Sequence, residues 1–271
     1  MAKTPNEMIS FPGEEGPVQV YLVKPGTNEA RPAVIVIHEI YGLSDFIKQT
    51  TNRIADLGYV ALAPDLFSRT SLVDVLTPSN IESVMQFSSS FPREKMSDRS
   101  FIQQEISNLP VGKREIVQRV FPLLFGGLLK DKLTQDLVKA VDYIKNQSYV
   151  VPGKVGSVGF CFGGGLSINL ACHSNLAGCV VFYGENPNPI ELVEKIQCPV
   201  LGIYGADDMR INSQLDILVR AMVQHKRDFE MKIYPGAAHT FMNFTRLPVY
   251  REAASKAAWD RMVRFYESTL S

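Results

Sequence analysis

The chain has 271 residues, 45% of them hydrophobic, and its 28 Lys+Arg balance 28 Asp+Glu for a formal net charge of zero. That length and apolar content suit one globular domain over residues 1–271, and the charge balance points to neither nucleic acid nor an anionic membrane as a partner. The cysteines Cys161, Cys172, Cys179 and Cys198 form no CxxC pair and stand at no zinc-finger spacing from a histidine, so no metal is expected and free thiols in a reducing compartment are. The amino-terminal MAKTPNEMIS has no apolar targeting core and no run is long enough to span a bilayer, so a soluble, cytoplasmic protein is expected.

Taken in chain order, short apolar, β-branched runs alternate with longer amphipathic ones, which predicts an α/β fold with a mostly parallel sheet flanked by helices. The first strands are VQVYLV (Val18 to Val23) and AVIVIH (Ala33 to His38). A helix follows from Asp45 and stops at Gly58, a residue suited to a helix C-terminus, and then comes the strand YVALAP (Tyr59 to Pro64). From Leu72 to Lys130 no strand is apparent. That stretch reads as two or three polar helices broken at Pro92, Pro110, Pro122 and Gly126-Gly127, either packed on the outer face or capping a site. Beyond it, TQDLVKAVDYIKNQ sets Leu137, Val138, Val141 and Ile144 along one helical face. The strands KVGSVGF (Lys154 to Phe160), GCVVFYG (Gly178 to Gly184), PVLGIYG (Pro199 to Gly205) and FEMKIYPG (Phe229 to Gly236) follow, with helices over Ser213 to His225 and Tyr250 to Tyr266.

The chemistry concentrates at Gly159-Phe160-Cys161-Phe162-Gly163. Glycines two residues either side of a nucleophile let a strand turn sharply into a helix, and here the central residue is cysteine rather than serine. The amino-terminal end of the following helix favours a thiolate. Downstream, Asp207-Asp208 follows one strand and His239 follows the next, the order nucleophile, acid, histidine, with each group on a loop at a strand's C-terminal end. Asp208 is the expected orienting acid and Asp207 the alternative. His173 and His225 fit that pattern less well, and His38 either lines the site or simply packs.

With these residues in view the chain resembles the dienelactone hydrolases of the α/β-hydrolase fold. The resemblance rests on HEIYGL (His38 to Leu43), APDLFSR (Ala63 to Arg69), VGFCFGGG (Val158 to Gly165), YGADD (Tyr204 to Asp208) and AAHTFMN (Ala237 to Asn243). It implies Cys161 as nucleophile, His239 and Asp208 as its partners, and Glu39 beside the thiol as a group that takes its proton when substrate binds. It also implies backbone N–H groups of Ile40 and Phe162 as the oxyanion hole, and Arg69 as a partner for a substrate carboxylate. Tyr41, Phe241 and Asn243 fall within the matching motifs and are expected on the substrate side. Asn243 stands where dienelactone-type sites carry an arginine, which bears on the choice of substrate.

The activity so implied is hydrolysis of a small-molecule ester or lactone through a covalent acyl-enzyme, without metal or organic cofactor. Two alternatives stand beside it: a thioesterase or small-acyl esterase of the same family, and a non-catalytic ligand-binding or redox-sensitive thiol protein.

Overall fold

The structure is a computed structural model, and it describes residues 6–92, 95–96 and 98–271. The first five residues of the amino-terminal stretch therefore lie outside the described residues.

Among the described residues eight strands form one sheet: β1 (Asn6–Gly13), β2 (Gly16–Val23), β3 (Arg31–Ile37), β4 (Val60–Asp65), β5 (Val150–Phe160), β6 (Gly178–Phe182), β7 (Val200–Gly205) and β8 (Phe229–Tyr234). Their spatial order is β1-β2-β4-β3-β5-β6-β7-β8. The β1–β2 and β2–β4 pairs are antiparallel, and every later pair is parallel. Around the sheet run α1 (Asp45–Asp56), α2 (Pro78–Ser89), α3 (Arg99–Ser107), α4 (Val111–Phe125), α5 (Lys130–Lys145), α6 (Phe162–Ala171), α7 (Met209–Asn212), α8 (Leu215–Gln224) and α9 (Glu252–Thr269).

Strand β3 shows why this sequence makes a central strand. Ala33, Ile35 and Ile37 point into the apolar cluster shared with α5, α6 and α8, while Val34 and Val36 point into the cluster shared with α1 and α9. A parallel strand covered on both faces needs apolar residues in both registers, which is why it reads as a continuous apolar run. Gly58, at φ +97°, closes α1 by donating its N–H to the Ala55 carbonyl at 2.9 Å.

Two features depart from the expectations. Strand β1 is an additional, antiparallel edge strand; of its residues only Phe11 is buried, so it lacks the apolar run that marks the inner strands. Pro122 does not break a helix but lies inside α4. The missing N–H falls on the solvent side, where Gln118 and Pro122 are both exposed and the freed carbonyl can meet water.

The excursion between β4 and α5 consists of α2, α3 and α4. Thr77 caps α2 by accepting from the Asn80 N–H, and Asp98 caps α3 by accepting from that of Phe101. Ile81, Val84, Phe87, Ile102, Val117 and Val120 extend the cluster that holds Ile40 and Phe67, and Tyr41 and Phe162 pack against it. The excursion thus flanks the C-terminal edge of the sheet at the β3, β4 and β5 ends.

Candidate active site

Strand β5 ends at Phe160 and α6 begins at Phe162, so Cys161 alone makes the turn. Its backbone takes φ 55° and ψ −116°, a positive-φ conformation that strains a residue with a Cβ. Its N–H is tied to the Phe182 carbonyl at 3.0 Å. The flanking glycines are required by contact. A Cβ on Gly159 would stand 1.8 Å from the Gly163 carbonyl oxygen, and one on Gly163 would stand 2.3 Å from that of Ile37 and 2.5 Å from that of His38. Helix α6 therefore presses directly onto the end of β3.

Asp208 and His239 reach the same point from the ends of β7 and β8. His239 Nε2 is 3.0 Å from Cys161 Sγ, and its Nδ1 is hydrogen-bonded to Asp208 Oδ2. Asp208 is 2% exposed whereas Asp207 faces solvent, so the buried acid is the one that meets the ring. Burial alone would push the imidazole down. The Cys161 sulfur and the Asp208 carboxylate outweigh it and raise His239 to about 10. An imidazolium facing the sulfur is the counter-ion a thiolate needs.

Glu39 follows β3 and is 1% exposed. Its Oε2 accepts a hydrogen bond from Asn243 Nδ2 at 2.6 Å, and its Oε1 is buried with no partner among the described residues. Burial pushes this carboxyl up to about 7, against the opposing pull of Asn243, His239 and Arg246. The sulfur is thus paired with His239 and the glutamate with Asn243, rather than glutamate with thiol. Asn243 is oriented in turn: its Oδ1 accepts from the N–H and the hydroxyl of Thr245, at 3.0 and 2.6 Å, which turns its NH2 towards Glu39.

Ile40 is buried, Phe162 is half-buried, and they follow Glu39 and Cys161 directly. Among the described residues neither N–H is taken up by a backbone hydrogen bond at the strand ends. Tyr41 is half-buried beside them. Phe241 is fully buried, its ring 5.7 Å from those of Tyr183 and Tyr234, so it supports the site from below instead of lining it.

Arg69 does not join the cluster. It is 1% exposed and lies between Asp136 of α5 and Glu15 of the β1–β2 turn, each at 3.1 Å. A guanidinium held between two carboxylates is a structural cross-link, and the expectation that it meets a substrate carboxylate is corrected on that ground. The cation that stands beside the site is Arg246, which no periodicity or motif singled out. It is exposed, its guanidinium lies 5.2 Å from the Tyr41 ring centroid, and its charge acts on Glu39 and Tyr41. Among the described residues no group of three or more His, Cys, Asp or Glu side chains is placed to hold a metal, and no helix is long and apolar enough to cross a membrane.

Comparison with known proteins places the chain in a family. Residues 18–270 match the profile of the "Dienelactone hydrolase family". A candidate carboxymethylenebutenolidase of Saccharolobus solfataricus is 38% identical over 95% of this chain and 96% of its own length. The crystal structure of a candidate dienelactone hydrolase from Klebsiella pneumoniae superposes with TM-score 0.72 at 22% identity, covering 97% of this chain and 98% of that one. A dienelactone hydrolase from Anabaena variabilis superposes with TM-score 0.66 at 18% identity, over the full length of both chains.

Proposed function

The chain belongs to the dienelactone hydrolase family and is a hydrolase of ester or lactone bonds, and from that premise we propose that Cys161, His239 and Asp208 act as a triad through a covalent acyl-enzyme. The observation that carries this reading is the run of contacts from Asp208 Oδ2 through His239 Nδ1 and Nε2 to Cys161 Sγ, with the sulfur on a strained turn.

The Cys161 sulfur attacks the substrate carbonyl carbon, and the C=O electrons move to oxygen. The N–H groups of Ile40 and Phe162 receive that oxyanion; losing one such donor typically lowers the rate by roughly 10²–10³. Collapse breaks the acyl C–O bond, and His239 gives its Nε2 proton to the departing alkoxide. In a lactone that alkoxide stays tethered to the acyl group. Water then attacks the thioester, His239 takes one of its protons, and a second collapse releases the carboxylic acid, which loses its remaining proton to solvent, and restores the thiolate–imidazolium pair. Asp208 keeps the Nδ1 proton in place throughout. Glu39 is assigned to acid–base work next to His239, since burial pushes its carboxyl up to about 7 and one oxygen is uncommitted. Arg246 at the rim supports a substrate whose acyl part carries a negative charge. The four free thiols suit a reducing, cytoplasmic setting.

The test is intact-mass spectrometry during turnover of an aryl ester, a lactone and an acyl thioester. The expected result is one acyl group added to wild type, mapped to Cys161, and neither adduct nor turnover with Cys161→Ala. Turnover by Cys161→Ala at the wild-type rate would overturn the reading. The relative rates on the three probes rank the ester, lactone and thioester chemistries.

A further inference from the structure

His38 is fully buried at the end of β3, next to Glu39 and Ile40, and the reaction described above leaves it without a role. Its two nitrogens are both engaged. The Leu66 N–H donates to Nε2 at 3.1 Å, so Nε2 carries no proton. The proton is therefore on Nδ1, which lies 2.6 Å from the Glu39 carbonyl oxygen and donates to it. Burial holds the ring in this neutral form against the pull of Asp65. The same carbonyl accepts a second bond from the Gly42 N–H at 3.1 Å. Both lone pairs of the Glu39 oxygen are thus occupied.

That carbonyl belongs to the peptide unit whose other end is the Ile40 N–H. In a trans peptide the C=O and N–H point in opposite directions in one plane, so fixing the oxygen fixes the direction of the N–H. We propose that His38 is a positioning residue for the oxyanion hole: by clamping the Glu39 carbonyl from behind, it aims the Ile40 N–H at the reacting oxygen. The clamp reaches further. The Leu66 bond ties the loop to the end of β4, the His38 ring meets Phe67 edge-on at 4.7 Å, and α6 abuts the His38 carbonyl through Gly163. Preorganised donors lose their advantage once they must reorient during the reaction, so a loosened Ile40 N–H lowers the rate of acyl transfer and leaves the nucleophile itself intact.

The proposal rests on the acyl-enzyme reading, and its test separates the two. His38→Asn keeps a donor at the position of Nδ1 and loses the acceptor for Leu66. His38→Gln keeps an acceptor near the position of Nε2 and loses the donor. Each variant is assayed for single-turnover acylation by an aryl ester, for affinity towards a trifluoromethyl ketone that forms a tetrahedral adduct, and for alkylation of Cys161 by iodoacetamide. Alkylation is a displacement at saturated carbon and needs no oxyanion hole. The expected result for His38→Gln is about 10- to 100-fold slower acylation and an equal loss of ketone affinity. Its KM and alkylation rate stay within about 3-fold of wild type, and His38→Asn acylates within about 3-fold of wild type. Wild-type acylation by His38→Gln overturns the inference, as does a parallel fall in acylation and alkylation. Should His38→Gln not fold, His38→Asn decides: a folded His38→Asn that acylates more than 10-fold slower overturns it. Full turnover by Cys161→Ala would instead remove the acyl-enzyme reading on which the proposal stands.

Discussion

Asn243 donates its side-chain amide to Glu39 Oε2 at 2.6 Å, joining two buried residues 204 positions apart in the chain. Asn243 follows His239 by a single loop turn and Glu39 follows β3, so this contact couples the loop of the triad histidine to the loop of the proposed oxyanion amide. The amide is polar but uncharged. It lowers the carboxyl's proton affinity only in part, and Glu39 stays near 7 instead of falling to the usual carboxylate range.

Removing that donor should move Glu39 further up. In Asn243→Ala the acid limb of the pH–kcat/KM profile should shift to higher pH, because the carboxylate loses its only side-chain hydrogen-bond donor among the described residues. The rate well above that limb should fall less than 10-fold. An acid limb that stays in place would show that Glu39 does not titrate in the rate-determining step.

How much of this was legible in the sequence follows from the physics of each signal. The turn at Cys161 was readable because Gly159 and Gly163 are demanded by backbone contacts local to the motif. Asp208 and His239 were readable because a parallel sheet places successive strand-end loops on one edge, so chain order alone brings them together. Strand β1 was not readable, since an edge ribbon with one buried residue lacks an apolar run. Arg69 was misread because its partner Asp136 lies on a helix beyond the whole excursion, and no spacing rule connects them. The Glu39–Asn243 bond and Arg246 were missed for the same reason: irregular loops have no period, and through-space pairing leaves no trace in one sequence.

Arg69 yields a stability prediction. Its guanidinium offsets Asp136, whose carboxyl is itself pushed up by burial. In Arg69→Met that acid loses its cation, and breaking a buried pair on one side costs about 3–5 kcal/mol. Chemical denaturation should show that loss, while kcat/KM of the folded protein on neutral and anionic substrates stays within about 2-fold of wild type. Adding Asp136→Leu should recover most of the stability. A selective loss of activity on anionic substrates, with stability unchanged, would restore Arg69 to the substrate side.

Arg246 yields the complementary kinetic prediction. If its exposed guanidinium meets a substrate carboxylate, Arg246→Ala should raise KM for a carboxylate-bearing ester by about 10-fold and leave KM for the matched neutral ester unchanged. Wild-type KM for the charged ester should rise with salt and the variant's should not, since exposed charges are screened. Equal effects on both esters would assign Arg246 to holding the Tyr41 ring and the loop instead.

Glu39 itself gives a pH-dependent stability prediction with a definite sign. Its folded carboxyl titrates near 7 against an ordinary value of 4.5, so the native state holds the proton more tightly than the unfolded chain. Below 4.5 both states are protonated and the residue costs nothing. As pH rises from 4.5 to 7 only the unfolded state ionises, so stability falls; above 7 the cost is constant, on the order of 3 kcal/mol. Glutamine cannot ionise and still accepts from Asn243, so Glu39→Gln should melt at the wild-type temperature near pH 4 and well above it at pH 8. The increase should be on the order of 5 °C. His239 imposes its own trend, because its raised value stabilises the fold below about 6.5 and that contribution is lost as pH rises through 10. Subtracting wild type from variant cancels that trend to first order and isolates Glu39. Single-turnover kinetics on the same sample should show slowed chemistry despite the higher melting point, which is the signature of a residue kept for catalysis at a cost in stability. A Glu39→Gln protein that melts lower than wild type at pH 8, with unchanged single-turnover chemistry, would make the glutamate a structural partner and end its assignment to acid–base work.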